Sequence, residues 1–268
     1  MRDRWPAQWA ELAARLELSD AEVDGWRALA PALYTGFDPA TGLLEQFAGY
    51  FRLQPIDLSL YEGRKVPMDV VLGPQRTRQS QVIKQADVVM LLALLPDRFD
   101  RRVREANFCF YEPRCGHGSS LSRGAHALVA ARLGEVDLAE RYFRETAAID
   151  LEDTTGTGAG GVHMAALGGL WQAAVFGFAG LGLREDGLRL DPHLPVGWPA
   201  LSFRVQWRGR QVHLRLERAQ QLVTARLERG EPLMLRVGSR AQVLQPWGPG
   251  RAAGRRRAAS PWGAPCAA

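Results

Sequence analysis

Ser202-Phe203-Arg204-Val205-Gln206-Trp207-Arg208-Gly209-Arg210-Gln211-Val212-His213-Leu214-Arg215-Leu216 decides the fold class. Phe203, Val205 and Trp207, then Val212, Leu214 and Leu216, recur every second residue. That is the period of a half-buried strand. Arg208-Gly209-Arg210 lies between the two runs as a hairpin turn, and Arg229-Gly230-Glu231 follows a similar run at Leu222–Leu227. With Leu188-Arg189-Leu190 these runs predict an antiparallel β module of roughly 60 residues. Before Gly182 the period is helical. Helices first and strands after give an α+β protein by segregated segments, with a boundary near residue 184.

Upstream, Gln8–Leu18 predicts a short amphipathic helix. Ser19 with Glu22 forms a capping box that opens a second helix through about Leu33. Residues 34–78 are irregular and rich in Gly, Pro and aromatics, a length that favours a functional segment over a simple connector. Further helices are predicted over Ser80–Leu95, Asp97–Phe110, Ser119–Leu133 and Val136–Ile149, and from about Val162 to Ala179. They form a series of antiparallel pairs, the arrangement that closes into an α/α toroid. About seven helices make roughly half of a six-hairpin ring, and half a ring leaves an apolar inner wall uncovered.

The 268 residues are 46% hydrophobic and 24% charged, ordinary values for a packed protein. Of 34 cationic residues only Lys65 and Lys84 are lysines. The net charge of +5 comes largely from Arg251, Arg255, Arg256 and Arg257, in a tail (248–268) that reads as disordered. The body is left nearly neutral, which argues against a nucleic-acid face. Three cysteines, Cys109, Cys115 and Cys266, form no disulfide framework and show no zinc-type spacing, so no metal is expected. With no apolar leader after Met1, the expected location is the cytoplasm. Thr154–Leu183 carries no charged side chain, but its glycines and Gln172 suit a helix buried on all sides, not a membrane span.

Three segments could carry chemistry. Lys84-Gln85-Ala86-Asp87 places a long cation beside an amide, suited to sugar hydroxyls or an anion. The bland alternative is a snorkelling lysine beside a surface glutamine. Tyr111-Glu112-Pro113-Arg114-Cys115-Gly116-His117-Gly118-Ser119-Ser120-Leu121-Ser122 sets an imidazole between glycines and two serines at a helix mouth. Free N–H groups and the helix dipole there make an anion site, and a bare serine cap explains only one of those serines. Gly161-Val162-His163 opens the uncharged helix, where His163 reads as a core histidine. No GxGxxG, P-loop, GxSxG or HExxH pattern occurs. Glu45, Asp87, Glu112 and Asp150 lie near these segments, and none stands out as a buried acid.

Together these segments resemble glycoside hydrolase family 65, the family of maltose, trehalose and kojibiose phosphorylases. Leu44-Glu45-Gln46-Phe47-Ala48-Gly49-Tyr50-Phe51 is similar to its EQF segment, Lys84-Gln85-Ala86-Asp87 to its KQAD, and Tyr111 through Ser122 to its YEP…HxSSLS. Phe143 through Asp150-Leu151, Gly161-Val162-His163 through Trp171-Gln172, and Asp191-Pro192-His193-Leu194-Pro195 follow in the family's order. The likeness covers about residues 18–245.

The resemblance implies the C-terminal part of an (α/α)6 catalytic barrel over residues 1–183, then a small antiparallel β-sheet domain over 184–247. It implies phosphorolysis of an α-glucosidic bond with inversion, phosphate taking the place of activated water and giving β-glucose 1-phosphate. Lys84 and Gln85 would hold the reacting glucose; His117, Ser119 and Ser120 would hold phosphate. Inorganic phosphate would be the co-substrate of a disaccharide or oligosaccharide, with no cofactor, and the enzyme would form a homodimer. The family's general acid, a glutamate, is expected upstream of Met1. Cys115 stands in place of the family's usual Thr and Gly160 in place of a common Glu. Hydrolase members place a carboxylate where phosphate would sit, so retention of His117-Gly118-Ser119-Ser120 favours phosphorolysis. The alternatives are hydrolysis by the same fold, or a non-catalytic fragment.

Overall fold

The computed structural model describes residues 2–64, 66–153, 158–247 and 254–257. Its helices are α1 (Pro6–Arg15), α2 (Asp20–Ala32), α3 (Met68–Arg78), α4 (Asp87–Leu94), α5 (Arg101–Tyr111), α6 (Ser122–Leu133), α7 (Val136–Leu151) and α8 (Met164–Gln172). α8 continues as a π-helical segment, Ala173–Phe178. Ser19 Oγ caps α2 by accepting from Glu22 N at 3.2 Å. α1 and α2 bury almost nothing, Val23 alone being covered.

α6 is the spine of the helical part. Its small residues let neighbours approach on every side, and ten of its twelve residues are buried. A Cβ on Gly124 would lie 3.5 Å from Gly169 of α8, and one on Gly177 would lie 3.1 Å from Leu128. The contacts advance in the same direction along both chains, so α6 and α8 run parallel, with α7 returning between them. At the far end of α6, Arg132 donates Nε to Phe176 O (2.9 Å) and Nη1 to Ala93 O (3.0 Å). The C-terminal ends of α4, α6 and the π segment therefore meet at one guanidinium, and a cation there suits the negative ends of their dipoles. The starts of α4, α6 and α8 gather at the opposite end.

Several predicted boundaries move. Ser80–Ala86 is not helical: Ser80 bridges Gln54 and Ile83 bridges Cys115, both in parallel sense. Its polar backbone groups are satisfied by distant chain, so α4 starts only at Asp87. α5 starts at Arg101, with Asp100 accepting from Val103 N at 2.8 Å. α6 starts at Ser122, not Ser119, because the chain first makes a turn from Ser119 O to Ser122 N.

Beyond Gly180 come β1 (Gly182–Arg184), β2 (Gly187–Leu190), β3 (Ala200–Trp207), β4 (Arg210–Glu217), β5 (Leu222–Arg229), β6 (Leu233–Val237), β7 (Arg240–Leu244) and β8 (Gly254–Arg257). They form two four-stranded sheets, ordered β1-β2-β6-β7 and β3-β4-β5-β8. Val212, Leu214 and Leu216 of β4 and Val223, Ala225 and Leu227 of β5 are buried, as their period demands. Two expectations need correction. The module is not wholly antiparallel, because β2 pairs with β6 in parallel. The disordered tail does not hold at Gly254–Arg257, which pairs with β5; the rest of 248–268 lies outside the described residues. The helical region ends at Phe178 and β1 begins at Gly182, so a division at 183/184 falls inside β1.

One core runs through both parts. Trp198, in the loop before β3, packs its ring 4.9 Å from that of Phe178 and 5.2 Å from that of Phe143. Leu94, Val162, Met164, Leu167 and Trp171 stay exposed, as an uncovered barrel wall would leave them. Among the described residues no helix is long and apolar enough to cross a membrane.

The joint between the two parts is tight. Gly180 has φ +60°, and a Cβ there would lie 1.9 Å from Asp191 O. Gly180→Ala is expected to destabilise the protein by about 2 kcal/mol or more in urea unfolding. Gly168→Ala, with open space around it, should instead be neutral or add about 0.5–1 kcal/mol.

Candidate functional site

The end where α4, α6 and α8 begin collects the residues singled out in the sequence. Ile83 N donates to Arg114 O (3.0 Å) and Gly116 N to Ile83 O (2.8 Å), laying the Lys84 segment alongside the Cys115–His117 segment. A Cβ on Gly118 would lie 3.3 Å from Lys84 Cγ, so the lysine stem crosses this glycine. Lys84 Nζ pairs with Asp69 Oδ2 at 3.0 Å, and about half of its side chain stays exposed. The pair holds the Asp69 carboxyl below its usual range. Gln85 is exposed beside it. Lys84 thus sits in the bend between the Ile83 bridge and the helix, not in the helix's first turn.

Ser119 and Ser120 are partly buried in the turn that leads into α6. Ser119 Oγ accepts from Leu121 N at 3.3 Å, and Ser122 Oγ donates to Ser119 O at 2.9 Å. This turn sits beside Lys84 through Gly118, with the positive end of the α6 dipole behind it. His163, just before α8, belongs to the same end. Its backbone N–H donates to Asp150 (3.0 Å), and its Nδ1 lies 2.7 Å from Asp150 Oδ1. It reads from sequence as a core histidine, yet it is only partly buried and has a carboxylate partner. Asp69 carried no sequence signal, since it lies in a segment without a regular pattern.

His117 departs from expectation. Its ring is turned inward, where an arrangement offering it to an anion was expected. The backbone at φ +48° directs it there. Nε2 lies 3.2 Å from Tyr142 Oη, and Nδ1 lies 3.0 Å from Ser122 Oγ and 3.5 Å from Cys115 Sγ. Tyr142 donates its only hydroxyl proton to Glu112 Oε1 at 2.6 Å. His117 Nε2 must therefore carry the proton given to Tyr142, which leaves Nδ1 as the acceptor. Ser122 spends its proton on Ser119 O, so the Cys115 thiol is the donor that faces Nδ1. Glu112, Tyr142, His117 and Cys115 form one hydrogen-bonded chain beneath the serine turn.

Burial, with His126 and Arg123 as lesser causes, pushes His117 down to about 2. Burial also pushes Cys115 up to about 11 and lowers His126. Both imidazoles are neutral in the fold, whereas in the unfolded chain they titrate near pH 6.5. Below that pH the unfolded chain takes up protons that the folded protein does not, so stability falls as pH falls. His117 alone should cost about 2 kcal/mol between pH 6.5 and 5. Urea unfolding in metal-free buffer at pH 7 and pH 5 measures this, and an unchanged unfolding free energy would contradict two buried neutral imidazoles.

The nearby carboxylates are all engaged: Glu45 by Tyr34 and Phe51 N, Asp69 by Lys84, Glu112 by Tyr142, Asp150 by His163, and Asp87 by Gln46 at 3.4 Å. None is placed as a protonated acid.

Comparison with known proteins accords with this geometry. The profile of the "Glycosyl hydrolase family 65 central catalytic domain" matches residues 4–172, and that of the family's C-terminal domain matches residues 181–244. The chain is 37% identical over 202 residues to a kojibiose phosphorylase of Halothermothrix orenii, covering 75% of this chain and 26% of that protein. It is also 37% identical over 212 residues to an α,α-trehalose phosphorylase of Geobacillus stearothermophilus, covering 79% and 28%. A solved structure described as a candidate kojibiose phosphorylase from the human microbiome superposes with a TM-score of 0.80 at 24% identity, over 88% of this chain and 32% of that one. The chain thus spans about a quarter to a third of the length of these relatives. It belongs to glycosyl hydrolase family 65, matching the end of the catalytic barrel and the C-terminal β domain.

Proposed function

We propose that this chain supplies the phosphate-binding and part of the glucose-binding wall of an α-glucoside phosphorylase. The observation that carries the proposal is the shared end of three parallel helices, where Lys84, Gln85 and the Ser119-Ser120 turn lie together. Positive helix ends and hydroxyls hold an oxyanion without a metal, and the lysine and amide beside them suit sugar hydroxyls. The relatives' names, kojibiose and trehalose phosphorylase, support the same reading.

In this reaction a phosphate oxygen attacks the anomeric carbon from the face opposite the leaving sugar. The glycosidic C–O bond breaks as the new C–O bond forms, and a general acid protonates the departing oxygen. The products are β-glucose 1-phosphate and the freed sugar. Lys84 and Gln85 take glucose hydroxyls. Ser119 and Ser120, with the N–H groups of their turn, hold phosphate. His117 fixes that turn from beneath and does not offer its ring. The surrounding carboxylates are tied to donors or cations, and the family resemblance implies that the general acid is a glutamate outside these segments.

The test is to incubate the full-length gene product with kojibiose, maltose, nigerose or trehalose, with and without phosphate. β-Glucose 1-phosphate should form only when phosphate is present. Release of free glucose alone, at a rate independent of phosphate, would overturn the reading in favour of hydrolysis. Ser119→Ala and Ser120→Ala should each raise the KM for phosphate about tenfold or more, the loss of one hydrogen bond to a charged group.

A further inference from the structure

Beneath the serine turn, Cys115, His117 and His126 bring one thiol and two imidazoles together, with one donor atom from each lying within 4.8 Å of the others. Cys115 is 4% exposed and His126 is fully buried. Chain spacing hides the cluster, because His126 lies on the second turn of α6 while Cys115 and His117 lie in the strand-like segment before it.

The hydrogen bonds fix which lone pairs face inward. His126 Nδ1 lies 2.8 Å from Ser122 O, a carbonyl that can only accept, so Nδ1 carries the proton. Its Nε2 is then a bare acceptor, and this buried atom has no partner. An orphaned buried acceptor is costly. A ring whose other nitrogen donates to a backbone carbonyl is also the arrangement that orients metal-bound histidines. His117 Nδ1 is an acceptor too, since Nε2 donates to Tyr142, which in turn donates to Glu112. Cys115 Sγ lies 3.5 Å from that Nδ1. A tetrahedral zinc ion, with Zn–S about 2.3 Å and Zn–N about 2.1 Å, needs an S···N edge of about 3.6 Å and an N···N edge of about 3.4 Å. One edge is already formed, and modest side-chain rotation closes the others.

We propose that Cys115 Sγ, His117 Nδ1 and His126 Nε2 form a binding site for Zn2+. One thiolate with two imidazoles suits a thiophilic ion of this kind and not Mg2+ or Ca2+, which take oxygen ligands. On binding, the Cys115 S–H bond is replaced by an S–Zn bond and one proton goes to solvent, with no change of oxidation state. Arg64 donates to Gly116 O (2.7 Å) and Arg123 to His117 O (3.3 Å), so a bare dication meets opposing charge that the thiolate offsets. The site rests on these three residues alone, independently of the reaction proposed above.

The experiment titrates the metal-free 268-residue chain with Co2+ and follows the absorption spectrum, then displaces the Co2+ with Zn2+. One equivalent of Co2+ should give a thiolate-to-cobalt charge-transfer band with intense tetrahedral ligand-field bands, and one equivalent of Zn2+ should bleach both. Cys115→Ser should remove the charge-transfer band and weaken Zn2+ binding about a hundredfold or more, while Cys109→Ser and Cys266→Ser keep the band. His126→Gln should weaken binding with the charge-transfer band still present at higher Co2+. A wild-type spectrum without the thiolate band, or a band that survives in Cys115→Ser, overturns the proposal. The wild-type spectrum decides even if a buried-site variant fails to fold.

Discussion

Arg132 is the interaction on which the geometry of the helical part depends. Its guanidinium is largely buried, lowered to about 10 mainly by that burial, and still cationic at neutral pH. It bonds no carboxylate in its main contacts; its partners are the carbonyls of Ala93 and Phe176, the unsatisfied acceptors that helix ends leave over. A charge placed among three negative dipole ends is stabilised by all of them. The same placement fixes the axial register of α4, α6 and the α8–π segment. With their ends tied, their starts lie at the opposite end of the same bundle, where the proposed oxyanion-binding groups gather.

The second constraint is close approach. α6 is surrounded, so each neighbour must come near its backbone. Gly124 against Gly169, and Gly177 against Leu128, are where this happens. The chain of hydrogen bonds from Glu112 through Tyr142 and His117 to Cys115 lies against this spine. It supports the Ser119 turn with Cys115 and Tyr142 buried and His117 and Glu112 partly buried.

Much of this was legible in the sequence, and the rest was hidden for definite reasons. The Ser19–Glu22 cap, the hairpin at Arg208-Gly209-Arg210 and the switch from helical to strand period depend on neighbours in the chain, which a window of sequence contains. Ser80–Ala86 was hidden because its partners, Gln54 and Cys115, lie more than twenty residues away, and its residues continue the apolar pattern of α4. The parallel pairing of β2 with β6 and the strand at Gly254–Arg257 are likewise long-range. At the site, Lys84, Gln85, Ser119 and Ser120 could be named from motif and chemistry. The inward turn of His117 could not, since it depends on a positive φ and on Tyr142, twenty-five residues later. Asp69, the ion-pair partner of Lys84, came from a stretch with no period at all.

The position of the β domain has a further consequence. Arg184 of β1 pairs with Asp97, just after α4, at 2.6 Å, and Trp198 packs on Phe178 at the close of the π segment. Both contacts lie at the Arg132 end. The protein thus has a proposed working face and a handle, at opposite ends of the same helices. A tether, a dye or a surface attachment placed on the outer strands would grip the handle and leave the end that carries Lys84 and the Ser119 turn unobstructed.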